Sequence, residues 1–317
     1  MKACMRVSLV IPVFNESRSI AGLIDTIKGQ SFQPEEIILV DGGSTDNTVQ
    51  VIKKITADDP RYRIIEIGPA MPGKGRNEGV RNAHCEWIAF TDAGIWLERD
   101  WLNHLVMKSG KEPRAAIIYG NYSPEINRFF DKCAAITYVP PMIPGKIRGK
   151  FIASSMIKKE VWETTGGFPD WRAAEDLAFM EKAEKAGYMA LDASYALVHW
   201  QLRQGIISTF KRFDLYSKWN VWAGKQAAWH YGVARQYAFM LISLLLAIFH
   251  SWYWILAIPA WLMARVAKRI LLHRYEFGIA TLFNPFVFGT VLFITLVIDT
   301  ATFTGWIKAI LNPKDVK

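Results

Sequence analysis

Cysteine is scarce in this 317-residue chain, and Cys4, Cys85 and Cys133 are scattered without metal-ligand spacing. That excludes a disulfide framework and a zinc module, and it fits ordinary thiols in a reducing compartment. The net charge is +9, yet there is neither a basic stripe nor a recognition motif, so nucleic acid is excluded as a partner. A signal peptide is also missing, because the apolar run Val7 to Val13 is followed at once by Asn15 and Glu16. The first two thirds of the chain are therefore expected in the cytoplasm. Charge itself is absent from two long stretches, Tyr237 to Ala264 and Phe277 to Ile298. Both exceed the about 20 residues that cross a bilayer. The remaining positive charge suits a surface of anionic head groups, so membrane lipids are expected partners.

The rest of the chain alternates. Val7 to Val13 reads as a first strand, and a helix with Ile20, Leu23, Ile24 and Ile27 on one face reaches about Gln30. Glu36 to Val40 is a second strand, Asn47 to Ala57 a helix, and Ile64 to Ile67 a third strand. Pro69 to Gly79 reads as a Gly-rich loop running into a helix through Asn82, and Glu86 to Thr91 as a fourth strand. Strands alternating with helices predict an α/β fold with a mostly parallel sheet. Further on, a helix is expected over Glu98 to Lys108, a strand over Ala115 to Tyr119, and irregular chain over Ser123 to Lys150 with Pro124, Pro140, Pro141 and Pro144. A strand at Ile152 to Ile157, a helix at Lys159 to Thr164, a Gly166-Gly167-Phe168 turn, a helix at Glu175 to Ala186 and a closing segment at Ala196 to Gln201 follow.

The tail is harder to lay out. Residues 216–236 mix aromatics with Lys218 and Lys225, which suits an interfacial helix or linker. Tyr237 to Ala264 either crosses once or folds back near His250-Ser251-Trp252. Arg265, Lys268, Arg269 and Arg274 follow it, and a hairpin would keep them on the same side as Lys308, Lys314 and Lys317. Asn284-Pro285 would interrupt the second apolar run, and Asp299 within it requires a polar contact.

Chemistry-bearing residues recur at strand ends. The stretch Leu39-Val40-Asp41-Gly42-Gly43-Ser44-Thr45-Asp46-Asn47-Thr48 is a strand closing in an acidic turn that opens a helix. Ligands of an open α/β sheet sit outside the carboxyl ends of strands, and helix N-termini favour phosphate. Asp41 ends the second strand, Lys74 to Asn77 follow the third, Asp92 ends the fourth, and Glu175-Asp176 opens a helix. Each alone is ordinary turn or cap chemistry. In this order they can converge on one edge of a sheet.

In that combination the sequence resembles a family 2 glycosyltransferase of the GT-A fold. The resemblance rests on VSLVIPVFNE, PEEIILVDGGSTDNT, GKGRNEGVRNA, EWIAFTDAG and GGFPDWRAAEDLAF, and covers about residues 5 to 215. It implies a nucleotide-sugar donor (UDP-, GDP- or dTDP-linked), inversion at the anomeric carbon, and usually Mg²⁺ or Mn²⁺. Family members with such tails act mostly on lipid-linked or glycan acceptors for the cell surface. By the same resemblance Pro12, Asn15 and Glu16 touch the nucleotide, Asp41 its base, and Arg76 with Lys74 the base and phosphates. Asp92 would face ribose, sugar and metal, and Asp176 would be the catalytic base. Arg203 is expected at the diphosphate, His199 as a late metal ligand, and Glu175 and Trp200 on the acceptor side. Ser154-Ser155 could shape the acceptor side, but reads more simply as ordinary strand-end hydroxyls.

One departure stands out, because the carboxylate expected two residues after Asp92 is replaced by Gly94. Either Asp92, donor phosphates and water hold the metal, with or without His199, or a protein cation replaces it. The expected organisation is a GT-A domain at 1–215, a linker at 216–236 and a membrane segment at 237–317. Within the domain the donor half is about 5–120 and the acceptor half about 121–215. The enzyme would sit on the cell membrane with its catalytic domain cytoplasmic. The alternative of another class is a non-catalytic nucleotide-sugar-binding scaffold, which Gly94 favours. A sugar nucleotidyltransferase would need a Gly-rich triphosphate loop after the first strand, and PVFNESRS is not one.

Overall fold

The computed structural model describes residues 5–314, so Cys4 and Lys317 lie outside the described residues. In chain order the first elements are β1 (Val7–Val13), α1 (Ile20–Lys28), β2 (Glu36–Asp41), α2 (Thr48–Ile55), β3 (Tyr62–Glu66), α3 (Pro72–Arg81) and β4 (Trp87–Phe90). Then come β5 (Ile95–Leu97), α4 (Trp101–Ser109), β6 (Ile117–Glu125), α5 (Phe129–Tyr138), β7 (Ser155–Lys158), α6 (Lys159–Thr165), α7 (Glu175–Lys185) and β8 (Ala190–Gln201). The tail is helical: α8 (Ile206–Trp222), α9 (Gln226–Trp229), α10 (Tyr231–Phe249), α11 (Ala257–Leu272), α12 (Arg274–Phe277) and α13 (Pro285–Leu311). The chain divides into two compact units, one running to Glu125 and resuming at Gly145–Gln201, the other Ile126–Pro144 with everything from Leu202 on.

The first unit is built on one sheet in the order β3-β2-β1-β4-β7-β6-β8-β5. The strands β3, β2, β1 and β4 are parallel, whereas β7 runs antiparallel to both β4 and β6. β6 and β8 are parallel to each other, and β5 is antiparallel to β8. The sheet is therefore mixed, with its parallel half first in sequence. β1 and β2 are buried along nearly their whole length, as expected of strands covered on both faces. α1 buries Ile20, Leu23, Ile24 and Ile27, the apolar stripe that its 3.6-residue spacing gives. Val10, Ile38, Val40, Val80, Phe90, Phe168 and Phe179 belong to one buried cluster that joins both halves of the sheet.

Two sequence expectations change here. The Gly-rich segment is a helix from Pro72 onward, with Pro at its first turn, and only Pro69 to Met71 remain loop. Its glycines allow close packing: a Cβ on Gly79 would stand 2.3 Å from Val10 Cγ1, and one on Gly73 would stand 2.1 Å from the Pro169 carbonyl oxygen. The second change is α5 within the supposedly irregular 123–150, which belongs to the second unit.

In the second unit α8 packs along α13, where Ser217 Oγ donates to the Thr302 carbonyl at 2.6 Å and lies 2.8 Å from His230 Nε2. Helices α10 and α13 are long and apolar enough to cross a bilayer. The first apolar run does break at His250-Ser251, α10 ending at Phe249 and a 3₁₀ turn leading into α11. Asn284-Pro285 starts α13 rather than interrupting a helix, with Asn284 Oδ1 accepting from the Phe286 and Val287 amides at 3.0 and 3.1 Å. Asp299 finds its partners in Arg265, which binds it through two nitrogens at 2.5 and 2.7 Å, and in the Tyr237 hydroxyl at 3.0 Å.

The tightest backbone approach in the sheet is at Gly120 of β6, where a Cβ would meet the Ala196 carbonyl oxygen at 2.7 Å and Ser154 Oγ at 2.2 Å. Gly120→Ala should therefore lower stability by about 1–3 kcal/mol through overpacking. Urea unfolding followed by tryptophan fluorescence should show an earlier midpoint; an unchanged midpoint would mean that β6 and β8 separate freely.

Candidate active site

The carboxyl ends of β1, β2 and β4, together with α3 and the start of α7, carry the polar residues of the first unit. At the end of β2, Asp41 Oδ2 accepts from the Gly43 and Ser44 amides at 3.0 Å each, an Asx turn. Its other oxygen, Oδ1, is buried and accepts nothing. A buried carboxylate oxygen without a donor is costly. It fits a group that supplies an N–H.

The loop after β1 is tied to this turn. Asn15, held at φ 55, uses its Oδ1 to accept from the Thr45 amide at 2.8 Å. Its own amide donates to Ser44 Oγ at 2.9 Å, and the Glu16 amide donates to Thr48 Oγ1 at 2.8 Å. Asp46, held by Thr48 and by the Ser17 amide, is lowered to about 2 by those hydrogen bonds and stays ionised. Pro12 lies against α3, 3.2 Å from where a Cβ on Gly75 would stand.

Arg76 is the centre of the arrangement. Its side chain is 3 % exposed, donating to Asp92 Oδ1 at 2.7 Å and to Glu175 Oε1 at 2.8 Å. Burial opposes its charge, but Asp92, Glu175 and Asp176 together raise its pKa, so it remains a cation. The guanidinium also sits 5.6 Å over the Phe168 ring, itself stacked on Phe179 at 4.1 Å. Asp92, Arg76, Glu175 and Asp176, from β4, α3 and α7, thus come together. Burial raises the carboxyl pKa of both Glu175 and Asp176, with Arg76 pulling the other way. Asp176 is half-buried and Oδ1 accepts from the Leu177 amide at 2.8 Å.

The other expected residues are placed as follows. Lys74 is exposed on α3 without an ion pair among the described residues. His199 on β8 has its Nε2 3.0 Å from Glu98 Oε1, and Trp200 packs edge-on against Tyr122 at 6.3 Å. Arg203 belongs to the second unit, just past β8. Ser154 Oγ accepts from Trp101 Nε1 at 3.0 Å and donates to the Ala196 carbonyl, so it is a buried connector.

The sequence marks Asn77 only as the end of the Lys74 to Asn77 segment and gives it no partner. Its Oδ1 accepts from Trp162 Nε1 at 2.8 Å and the Phe168 amide at 2.9 Å, while Nδ2 donates to the Phe168 carbonyl at 2.7 Å. It clamps the loop that leads to Glu175 onto α3. The signal available in sequence was a polar residue three positions before Val80 on a face otherwise packed by glycine. Ala174 likewise gave no warning: it holds φ 66 immediately before Glu175.

Residues 8–158 match the model of the family described as glycosyl transferase family 2. A putative glycosyltransferase EpsH of Bacillus subtilis is 29% identical over 167 residues, 48% of each chain. Poly(ribitol-phosphate) beta-N-acetylglucosaminyltransferase TarS of Staphylococcus aureus is 28% identical over 101 residues, 31% of this chain and 18% of that one. The chain spans about half or less of the length of these relatives. Among solved structures, mannosyltransferase PcManGT from Pyrobaculum calidifontis, in complex with GDP-Man and Mn²⁺, superposes with a TM-score of 0.59 at 17% identity, covering 98% of this chain and 88% of that one. S. aureus TarS 1–349 in complex with UDP gives 0.52 at 17% identity, covering 95% and 92%. At such identity the likeness is one of fold.

Proteins of this fold can hold a divalent cation beside the donor, as PcManGT does with Mn²⁺. Among the described residues no three His, Cys, Asp or Glu side chains gather as a metal site. Asp92, 35 % exposed, gives one oxygen to Arg76 and keeps the other. The Glu16 carboxylate lies 3.4 Å from where a Cβ on Gly94 would stand. One or two hard oxygens completed by substrate phosphates and water suit Mg²⁺ or Mn²⁺, so the residues fit.

Removing the central cation tests the cluster. Arg76→Met should cost about 3–5 kcal/mol at pH 7, because Glu175 would stay buried without its partner. The loss should be smaller at pH 5 than at pH 7, because burial raises the Glu175 carboxyl and falling pH favours its neutral form. Urea unfolding at the two pH values measures this, and a pH-independent loss would disconnect Glu175 from Arg76.

Proposed function

We propose that the chain, whose residues 8–158 match the model of glycosyl transferase family 2, transfers a sugar from a nucleoside-diphosphate donor, with inversion, to a lipid-linked or glycan acceptor at a membrane. The observation that carries this reading is the Arg76 fork, which joins Asp92 on the donor side to the Glu175-Asp176 pair. Asp41 Oδ1, buried and unsatisfied, suits the ring N–H of uracil, thymine or guanine. TarS with UDP and PcManGT with GDP-Man make UDP- and GDP-sugars the first donors to try.

In the proposed reaction the Asp176 carboxylate takes the proton of the acceptor hydroxyl as that oxygen bonds to the anomeric carbon. The bond from that carbon to the phosphate oxygen breaks, and the diphosphate leaves with the electron pair. A base is most effective with a pKa near the working pH, and burial moves Asp176 that way. Arg76 has two of its nitrogens committed to carboxylates, so its part is to fix Asp92 and Glu175 in place. Lys74, exposed and uncommitted, is the better cation for the donor phosphates. A bound Mg²⁺ or Mn²⁺ would supply further positive charge to the leaving group.

Membrane attachment is supported by α10 and α13 and by Trp252, Tyr253 and Trp254, which are exposed between α10 and α11. With the catalytic unit on the cytoplasmic side, the acceptor would be presented at that face. Co-sedimentation of the full chain with anionic phospholipid vesicles should be strong, and replacing Trp252 and Trp254 by Ser should weaken it. Equal recovery with and without vesicles would remove the membrane from the reading.

Asp176→Asn should lower turnover by about 10²–10⁴-fold while donor binding persists. A non-catalytic scaffold, the reading that Gly94 favours, would have no turnover to lose. Because the base acts deprotonated and its pKa is raised, wild-type turnover should fall as pH drops through an inflection above the usual carboxylate value of about 4. A rate flat from pH 4 to 8 would exclude Asp176 as the base.

A further inference from the structure

Position 94 is where the resemblance expects a second acidic residue and the chain has none. Gly94 holds φ +83, a backbone conformation that L side chains rarely adopt. A Cβ built there would stand 3.4 Å from Glu16 Oε2 and 3.7 Å from Oε1. The space into which a residue-94 side chain would project is thus faced by a carboxylate from another part of the chain.

That carboxylate is held in position. The Glu16 amide donates to Thr48 Oγ1 at 2.8 Å, and its carbonyl accepts from the Ser19 and Ile20 amides at 3.0 and 2.9 Å. Ser19 Oγ donates to Oε2, whereas Oε1 accepts nothing among the described residues. Nothing in this network requires Glu16 to be acidic, because a glutamine would accept the Ser19 bond as well. Asp92, two residues before Gly94, has Oδ1 occupied by Arg76 and Oδ2 open.

We infer that Glu16 replaces the missing carboxylate: with Asp92 Oδ2 it would hold the divalent cation of the donor site. The ion would take these oxygens, the phosphates and water, the mode usual for Mg²⁺ and Mn²⁺ at nucleotides. The ligand is moved from the end of β4 to the end of β1. This inference rests on the donor-binding reading above.

The test measures Mn²⁺ affinity of the full chain by the EPR signal of free Mn²⁺, at saturating UDP or GDP. Nucleotide binding in EDTA is measured alongside. Wild type should bind Mn²⁺ more tightly than the nucleotide alone does, and Glu16→Gln should weaken that at least tenfold. Its nucleotide affinity in EDTA is the control, and a loss there as large as the loss of Mn²⁺ affinity would assign Glu16 to the nucleotide alone and overturn the inference. Glu16→Asp, which keeps the charge but withdraws it by one methylene, should fall between them. Equal Mn²⁺ affinity in all three proteins overturns the inference, as does a wild type that adds nothing to the nucleotide's own affinity. A wild type that binds neither nucleotide in EDTA sinks the donor reading instead, so the two failures are distinguishable.

Discussion

A guanidinium shut away from water constrains everything around it. Arg76 is 3 % exposed and stays charged only because Asp92 and Glu175 meet two of its nitrogens at 2.7 and 2.8 Å. Lysine could not satisfy both partners in this way, since the planar fork fixes the two directions at once. The carboxylates come from β4 and α7, so the ion pair needs α3 to lie close to the sheet and to the loop before α7. Glycines at 73, 75 and 79 permit that approach, because each faces Pro169, Pro12 or Val10 at a distance that leaves no room for a side chain to stand unshifted. The charges nearby are one cation against Asp92, Glu175 and Asp176. When ionised they leave an excess of negative charge, which favours recruiting a further cation and holding a proton on the acids. The raised carboxyl pKa of Glu175 and Asp176 expresses the second tendency, with burial as its main cause.

The parallel half of the fold was legible from its apolar runs and periodicity: Val7–Val13 and the stripe of α1 appear as expected. GKGRNEG misled because glycine is weak evidence for helix, worth about 1 kcal/mol against alanine. Here packing against β1 and the 169 carbonyl outweighs that preference. β5, three residues long, was too short for periodicity to register. The strand-end acids and Arg76 could be found from sequence, whereas the contacts that hold them in place could not. Asn77 and Ala174 work through contacts across the fold or through a backbone angle, and neither leaves a local pattern.

The tail shows the same limit in another form. Counting Arg265 and Arg269 as surface charge makes a basic cluster, yet Arg265 is spent on Asp299 and Arg269 donates to the Thr137 carbonyl. A buried ion pair contributes little net stability, but breaking one side leaves a costly charge. Asp299, Arg265 and Tyr237 therefore fix which faces of α13, α11 and α10 meet, more than they strengthen the contact. Helices α10 and α13 are apolar over most of their length, so apolar matching alone would not set their rotation.

Ala174 shows how the site is held against local preference. Its left-handed backbone costs an L-residue about 1–2 kcal/mol, and such a conformation persists only where its surroundings over-determine it. The surroundings are identifiable. Asn77 grips both polar groups of the Phe168 backbone, Phe168 lies between Arg76 and Phe179, and Arg76 holds Glu175 on the far side of the strained residue. The chain is thus anchored on α3 both before and after Ala174. The turn that delivers Asp176 is fixed by these contacts, since the intervening sequence has no preference for it.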